Sequence, residues 1–432
     1  MITITAEYLT QNWNILQTSS ILPTPLSEWD NGDAYTLASL GQFPSSKIAY
    51  AAIVVGDKQV SDFSLVIRLH KQTESVNAEC FRAPSGDLYQ VTAQIMIDKS
   101  YKDTEIKIAS LVKDLTRRNQ GLIETNLLKD AAVFIIGLGT GGIQIALDLA
   151  KAGVGKFKLM DPDRLEVGNI SRHHAGISLV GRKKVSAAKD LILEKNPTAE
   201  VETYPLSAGH EQREALKELI EKSSVVICAT DNRQSKLLIN ELAVTCRKPI
   251  IFGGAFRRAY GGQVFRVIPG SSPCYHCFVL AMPDKEADME ISSQRNADSI
   301  AYSDMPVAVE PGLSIDVTPI ANMVSKLAIM ELIKGKESTL HMLDRDFIAP
   351  WYFWINRPEP NTEYATIEPL SESADGLTIL RWYGVDLEKD PACPTCGDFE
   401  GELRKQYGLV EGDKPSILPL PFSEPGLDKG NK

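Results

Sequence analysis

From residue 131 onward the chain alternates between two textures. Continuous apolar runs (AAVFIIG, KFKLMD, SVVICATD, PIIFGGA) are separated by segments whose apolar residues recur every three or four positions (IQIALDLAKAG, VSAAKDLILEKNP, ALKELIEKS, SKLLINELAVTCR). A strand covered on both faces carries no polar side, whereas a helix lying on a sheet keeps one, so the alternation predicts an α/β fold: a doubly wound, Rossmann-like, mainly parallel sheet. Residues 1–105 read differently. Their short β-type runs, IAYAAIVVGD, FSLVIRL and LYQVTAQIMI, are bounded by Gly, Asp, Ser and Pro and predict a smaller mixed α/β N-terminal domain. From about 105 to 128 the spacing of Ile, Leu and Val is helical, interrupted near Gly121, and leads into a central unit over 106–345. That unit ends in a helix containing ANMVSKLAIMELIKG; an irregular extension over 346–410 and a tail over 411–432, expected to be disordered, complete the chain.

Bulk properties narrow the picture. A length of 432 residues accommodates two or three units, and 43% hydrophobic with 24% charged residues is ordinary for a globular protein. A net charge of −10 argues against a bulk nucleic-acid or anionic-membrane partner. The sequence holds no apolar run of membrane-spanning length, and its first residues, MITITAEYLTQNW, lack the basic and apolar regions of a signal peptide, so a cytoplasmic location is expected. Seven cysteines fit a reducing compartment better than a disulfide framework, because four of them form two CxxC pairs, Cys274/Cys277 and Cys393/Cys396. That spacing lets both sulfurs of a knuckle reach one ion and predicts a structural tetrahedral zinc site.

The candidate chemistry begins at a strand-to-helix turn carrying Gly137, Gly139 and Gly142, where backbone can approach a phosphate closely. Nineteen residues beyond Gly142, Asp161 ends the next strand, in position to accept hydrogen bonds from ribose hydroxyls. A nicotinamide dehydrogenase would satisfy that much. The following cationic and amide groups, Asn169, Arg172 and Lys184, suit a polyphosphate better, because displacement at an α-phosphate needs charge compensation as pyrophosphate leaves. Asp231, at the end of another parallel strand, faces the crevice where such sheets bind ligands and is a candidate Mg²⁺ ligand; the alternative is a helix N-cap.

The series GLGTGG, LMDPDRLEVGNISRH, GRKKV, ATDN, PIIFGGAFRRAYGGQV and PCYHC resembles the ThiF/MoeB/HesA superfamily, the adenylating fold shared with ubiquitin-activating enzymes. It covers about residues 115–335 plus the second knuckle. The resemblance implies that Asp161 binds ribose, that Asn169, Arg172 and Lys184 bind the phosphates of ATP, and that Asp231 binds magnesium. It implies a homodimer whose second protomer donates an arginine to the γ-phosphate, for which Arg117 and Arg118 are the matches. The implied substrate is the C-terminal carboxylate of a ubiquitin-like protein with a glycine-ended tail, passed to a conjugating-enzyme-like acceptor. The unusual N-terminal domain suggests, by analogy, a bacterial ubiquitination-like pathway. The glycines of FGGAF and YGGQV would let such a tail lie close to backbone, or serve as tight turns. Other superfamily substrates, a peptide or a modified tRNA base, and a silent nucleotide-binding scaffold stand as rival readings.

Many relatives capture the acyl group on a cysteine between the first knuckle and the following helix, and this chain has none there. Ser292, Ser293, Ser299, Tyr302 and Ser303 are the hydroxyls in that stretch, with Ser303 nearest the expected position. Direct handover of the acyl-adenylate and an oxyester on Ser303 rank equally. Cys228, in an apolar strand, reads as core, Cys246 as structural, and Cys80 is not assigned. His173 and His174 adjoin Arg172 and are read either as phosphate contacts or as loop supports.

Overall fold

The structure, a computed structural model, describes residues 1–19, 21–29, 34–37, 47–72, 79–110, 115–123, 126–282, 312–367 and 376–406. Two sheets organise these residues, and no strand is common to both.

The first sheet has nine strands: β1 (Ile2–Thr5), β2 (Ile21–Trp29), β3 (Ala34–Leu37), β4 (Lys47–Val55), β5 (Leu65–Gln72), β6 (Cys80–Arg82), β7 (Leu88–Ile97), β8 (Ser100–Thr104) and β9 (Ile106–Ala109). Their order is β6-β7-β5-β4-β2-β3-β1-β9, with β8 paired to β7. Helices α1 (Ala6–Gln11) and α2 (Trp13–Ser19) bury Leu9, Trp13 and Leu16 in the core of this sheet. Trp13 packs against Phe81 and Tyr89 with ring centroids 5.6 and 4.9 Å away. Residues 106–109, whose spacing suggested the start of a helix, are instead strand β9, which runs parallel to β1. A pattern of Ile106, Ile108 and Ala109 fits both periods over so short a span; the edge of β1 decides for the strand.

The second sheet has the order β12-β11-β10-β13-β14-β15-β16-β17. Strands β10 (Ala132–Ile136), β11 (Lys156–Met160), β12 (Glu200–Tyr204), β13 (Val225–Cys228) and β14 (Ile250–Ala255) are mutually parallel. Each of their connections carries a helix: α4 (Thr140–Ala152), α5 (Lys184–Lys195), α6 (Arg213–Glu221) and α7 (Arg233–Thr245), while the single turn α3 (Asn126–Lys129) leads into β10. Strands β15 (Gly261–Val267), β16 (Trp351–Ile355) and β17 (Trp382–Val385) continue antiparallel, so the segment set apart as a C-terminal extension supplies two strands of this same sheet. Along β10, Val133 and Ile135 face one core with α4, α5 and the long helix α9 (Ser314–Ile333); Phe134 and Ile136 face the other with α6, α7 and α8 (Tyr275–Ala281). A last helix, α10 (Phe399–Gln406), follows the second knuckle.

The chain leaves β10 toward β11 and β12, then crosses back to β13 and β14 on the other side of β10. Such a reversal opens a crevice at the carboxyl ends of the strands, which is where ligands bind in doubly wound sheets.

Candidate functional site

A cavity of about 470 Å³ opens at that crevice, lined by Gly137, Gly139, Asp161, Arg172, Lys184, Asp231, Lys236 and Gly254 among others. Its floor is the glycine turn. Gly137 has φ +90°, and a Cβ there would come within 2.7 Å of the Ala229 carbonyl oxygen on the neighbouring strand end. A Cβ on Gly142 would lie 1.9 Å from the Gly137 carbonyl oxygen, so only glycine lets α4 start so close to β10. Gly139 is the N-cap of α4, has no side-chain cap, and a Cβ on it would meet nothing within 4 Å. The amides at this helix start therefore face the cavity with room above them for an anion.

Asp161 follows β11 and is 5% exposed. Its two carboxylate oxygens accept from the Leu138 amide at 2.7 Å and the Asp163 amide at 2.9 Å. The carboxylate thus ties the glycine turn to the next loop, and each oxygen keeps a second lone pair for a ligand hydroxyl.

Arg172 and Lys184, from the loop after β11 and the start of α5, line the cavity as well. Lys184 is the first residue of α5, and its Nζ donates to Asp163 Oδ2 at 2.7 Å. Asn169 does not join them at the cavity. Its side-chain oxygen accepts from the Glu166 amide at 3.0 Å, and its carbonyl accepts from the amides of Arg172 and His173, so it shapes the turn that presents Arg172. His173 is buried, accepts from the Ala175 amide at Nδ1 and donates from Nε2 to the Leu138 carbonyl at 3.1 Å. Burial pushes its pKa below the ordinary 6.5, which keeps this tautomer neutral. It supports the glycine turn, as Asp161 does. His174 pairs with Gln144 on α4, and burial lowers its pKa as well.

Asp231 lines the cavity beyond β13, and the capping role belongs to its neighbour: Asn232 is the N-cap of α7 and accepts from the Ser235 amide at 3.1 Å. One turn along α7 is Lys236, which sequence reasoning missed. It is 2% exposed, lines the cavity, and its Nζ would lie 3.6 Å from a Cβ on Gly254 of β14. The same ammonium stands 5.9 Å above the Tyr275 ring.

Tyr275 belongs to the first knuckle. The four sulfurs of Cys274, Cys277, Cys393 and Cys396 all lie within 4.8 Å of one another. Closest separations are 3.9 Å for Cys274 to Cys277, 3.6 Å for Cys274 to Cys393 and 3.4 Å for Cys277 to Cys396. A tetrahedron with metal–sulfur bonds of ~2.3 Å has sulfur–sulfur edges of ~3.8 Å, so the arrangement fits Zn²⁺. The Cys274 thiol holds Cys277 down at about 4, while burial and the charge on Cys277 push Cys396 up to about 12. Four thiolates are unfavourable in this volume without a cation. His276 stays outside the set, with Nδ1 3.0 Å from Thr395 Oγ1.

The remaining residues singled out from the sequence fall elsewhere. Arg117 and Arg118 are exposed on a single turn, and the adjacent Asn119 donates to the Lys151 carbonyl at 3.0 Å, at the far end of α4. Neither arginine lines the cavity. Ser292, Ser293, Ser299, Tyr302 and Ser303 lie outside the described residues. Cys228 is fully buried in β13, and Cys246 is partly buried 3.9 Å from Glu221. In the glycine-rich hairpin, Cβ atoms on Gly253 and Gly262 would strike Val324 and Ile320 of α9 at 2.7 and 2.1 Å, so these two glycines admit the helix; Gly254 faces Lys236 instead.

The sequence profile of the ThiF family matches residues 115–360, more than half of the chain. A sulfur carrier protein adenylyltransferase from Thermus thermophilus is 33% identical over 282 residues, covering 63% of this chain and 84% of that protein. The adenylyltransferase and sulfurtransferase MOCS3 of Anopheles gambiae is 33% identical over 162 residues, 37% of this chain and 35% of its own length. The sulfur carrier protein ThiS adenylyltransferase of Bacillus subtilis is 33% identical over 159 residues, 36% of this chain and 46% of its own. The chain thus spans less than half the length of these last two relatives. Among solved structures, that of E. coli MccB with succinimide aligns with a TM-score of 0.45 and 18% identity over 63% of this chain and 68% of that one.

Proposed function

Because the chain belongs to the ThiF family, we propose that it is an ATP-dependent adenylyltransferase acting on the C-terminal carboxylate of a ubiquitin-like or sulfur-carrier-like protein. The observation that carries this reading is the gathering of Gly139, Asp161, Arg172, Lys184 and Asp231 around one cavity at the reversal of the sheet. Relatives named as adenylyltransferases of sulfur carrier proteins support it.

In this reading the ribose hydroxyls bond to Asp161, and the phosphates lie over the Gly139 amides at the start of α4. Arg172 and Lys184 offset charge on the β- and γ-phosphates, and Lys184 exchanges part of its bond to Asp163 for them. Asp231 would hold Mg²⁺, which neutralises the triphosphate. A carboxylate oxygen of the carrier attacks the α-phosphorus, the bond to the bridging oxygen breaks, and the electron pair leaves on pyrophosphate. The product is an acyl-adenylate. No general base is required, since a carboxylate is already ionised at pH 7. The acceptor's nucleophile then takes the acyl group and releases AMP, either directly or through an oxyester on Ser303. The four cysteines would hold a structural zinc ion, and Arg118 of a second protomer would complete the γ-phosphate site in a homodimer. Among the described residues no helix is long and apolar enough to cross a membrane.

The test is ATP–pyrophosphate exchange with the purified chain. Exchange that depends on a small protein with a glycine-ended tail supports the reading. Exchange driven instead by a free peptide or by tRNA moves the substrate class, and silence with all three removes the activity.

A further inference from the structure

The cysteine cluster and the nucleotide cavity share one helix. On α7, Asp231 and Asn232 stand at the N-terminal end, Lys236 reaches the cavity, and Asn240 lies one turn further on the same face. Asn240 is fully buried, and its side-chain oxygen accepts the Tyr275 amide at 2.9 Å, inside the CxxC knuckle. The Tyr275 ring is stacked on Phe252 of β14 with centroids 4.5 Å apart, and it also supports the Lys236 ammonium at 5.9 Å. Knuckle, ring and ammonium therefore form a continuous packed column from the four sulfurs to the cavity. Asn240, Tyr275 and Lys236 are 0 to 2% exposed, so none has solvent into which to relax.

Lys236 and Lys184 line the same cavity from different strand ends. Lys184 is held at the loop after β11 by Asp163, where the adenylation reading puts the leaving pyrophosphate, whereas Lys236 stands against Gly254 of β14. A lysine so buried in a cavity that receives polyphosphate needs an anionic partner there, and its distance from the Asp163-bound Lys184 sets it apart from the pyrophosphate group. We propose that Lys236 binds the α-phosphate, and that the cysteine knuckle sets its position through Tyr275, so that the integrity of the knuckle controls how tightly the cavity holds nucleotide. This rests on the adenylation reading. Tyr275 acts only through Lys236 and is a positioning residue.

Calorimetry of ATP and AMP binding to the full chain tests it, because both nucleotides carry an α-phosphate and neither requires the carrier. Lys236→Met weakens both by about tenfold to a hundredfold, whereas Lys184→Met weakens ATP alone. Tyr275→Leu, with its zinc content verified, weakens both by about threefold to tenfold, and Tyr275→Phe, which keeps the ring, does not. In the Lys236→Met background Tyr275→Leu has no further effect, since the ring no longer has a charge to place. Equal losses from Tyr275→Leu in the two backgrounds would overturn the coupling, and unchanged affinity in Lys236→Met would overturn the assignment itself. If Lys236→Met does not fold, the comparison of Tyr275→Leu with Tyr275→Phe decides: equal affinities refute the proposal. A wild-type chain that binds neither nucleotide sinks the adenylation reading and this one with it, an outcome distinct from wild-type binding that Lys236→Met leaves untouched.

Discussion

Gly142 has no room for a methyl group. A Cβ there meets the Gly137 carbonyl, which is backbone and cannot turn aside, so Gly142→Ala is expected to cost about 3 kcal/mol; a chemical-denaturation midpoint equal to wild type would show that the turn has slack. Gly139→Ala, by contrast, adds a methyl in open space and is expected to leave stability near wild type while weakening ATP binding measured by calorimetry. His173 makes a pH prediction. Its pKa is lower folded than unfolded, so the unfolded chain binds the extra proton first. Its contribution to stability is complete above the ordinary 6.5 and is lost as the pH falls below that toward the depressed value. Thermal melts between about pH 7.5 and 5 should show a decline that His173→Asn reduces; an identical decline in both proteins would assign it to other groups. The glycines, Asp161 and Asp231 are legible in the sequence because their spacing sets them at the carboxyl ends of successive apolar runs, where such sheets bind ligands. Lys236 is not, since SKLLINELA reads as a helix with its lysine outward, and its burial comes from Gly254 and Tyr275, further along the chain.

Among the elements, α7 carries more than its pattern announces. Its apolar face predicts a helix on a sheet, which it is, but the two polar residues on the buried side, Lys236 and Asn240, connect a cavity to a knuckle. Strand β9 shows the opposite limit: four residues cannot distinguish a period of two from one of 3.6, and the edge offered by β1 settles the matter. Strands β16 and β17 are hidden in the sequence because they are only five and four residues long and sit among prolines and turns, without the helices that punctuate β10 to β14. The knuckle, in contrast, is readable from spacing alone, since two intervening residues suit one metal whatever the fold. Cys393→Ser should remove zinc detected by elemental analysis and lower the melting temperature on the order of 10 °C. Retention of a full equivalent of metal, with an unchanged melt, would contradict the four-sulfur set.

At the scale of the whole molecule, the two sheets have separate cores, one built on Leu9, Trp13 and Leu16, the other on both faces of β10. Calorimetric unfolding is expected to show two transitions, of which ATP raises one; a single transition would mean that the units are energetically fused. The proposed trans arginine would likewise be a property of the assembly. Mixing Arg118→Ala with Asp231→Ala, each inactive alone, should restore about a quarter of wild-type turnover, the statistical share of sites that draw both groups from intact copies. No recovery, with mixed dimers shown to form, would remove Arg118 from the role. The donor rests on the family resemblance alone, since a surface arginine pair looks the same in sequence and in one chain whether or not another chain uses it. Finally, Cys274 and Cys393 meet across 119 residues, and α9, which covers the cavity, lies between them. A nascent polypeptide cannot fasten that ring until the ribosome has passed residue 396, so a copy cut short of that point stays unlatched, and closure is withheld until synthesis has moved well beyond the helix that the ring contains.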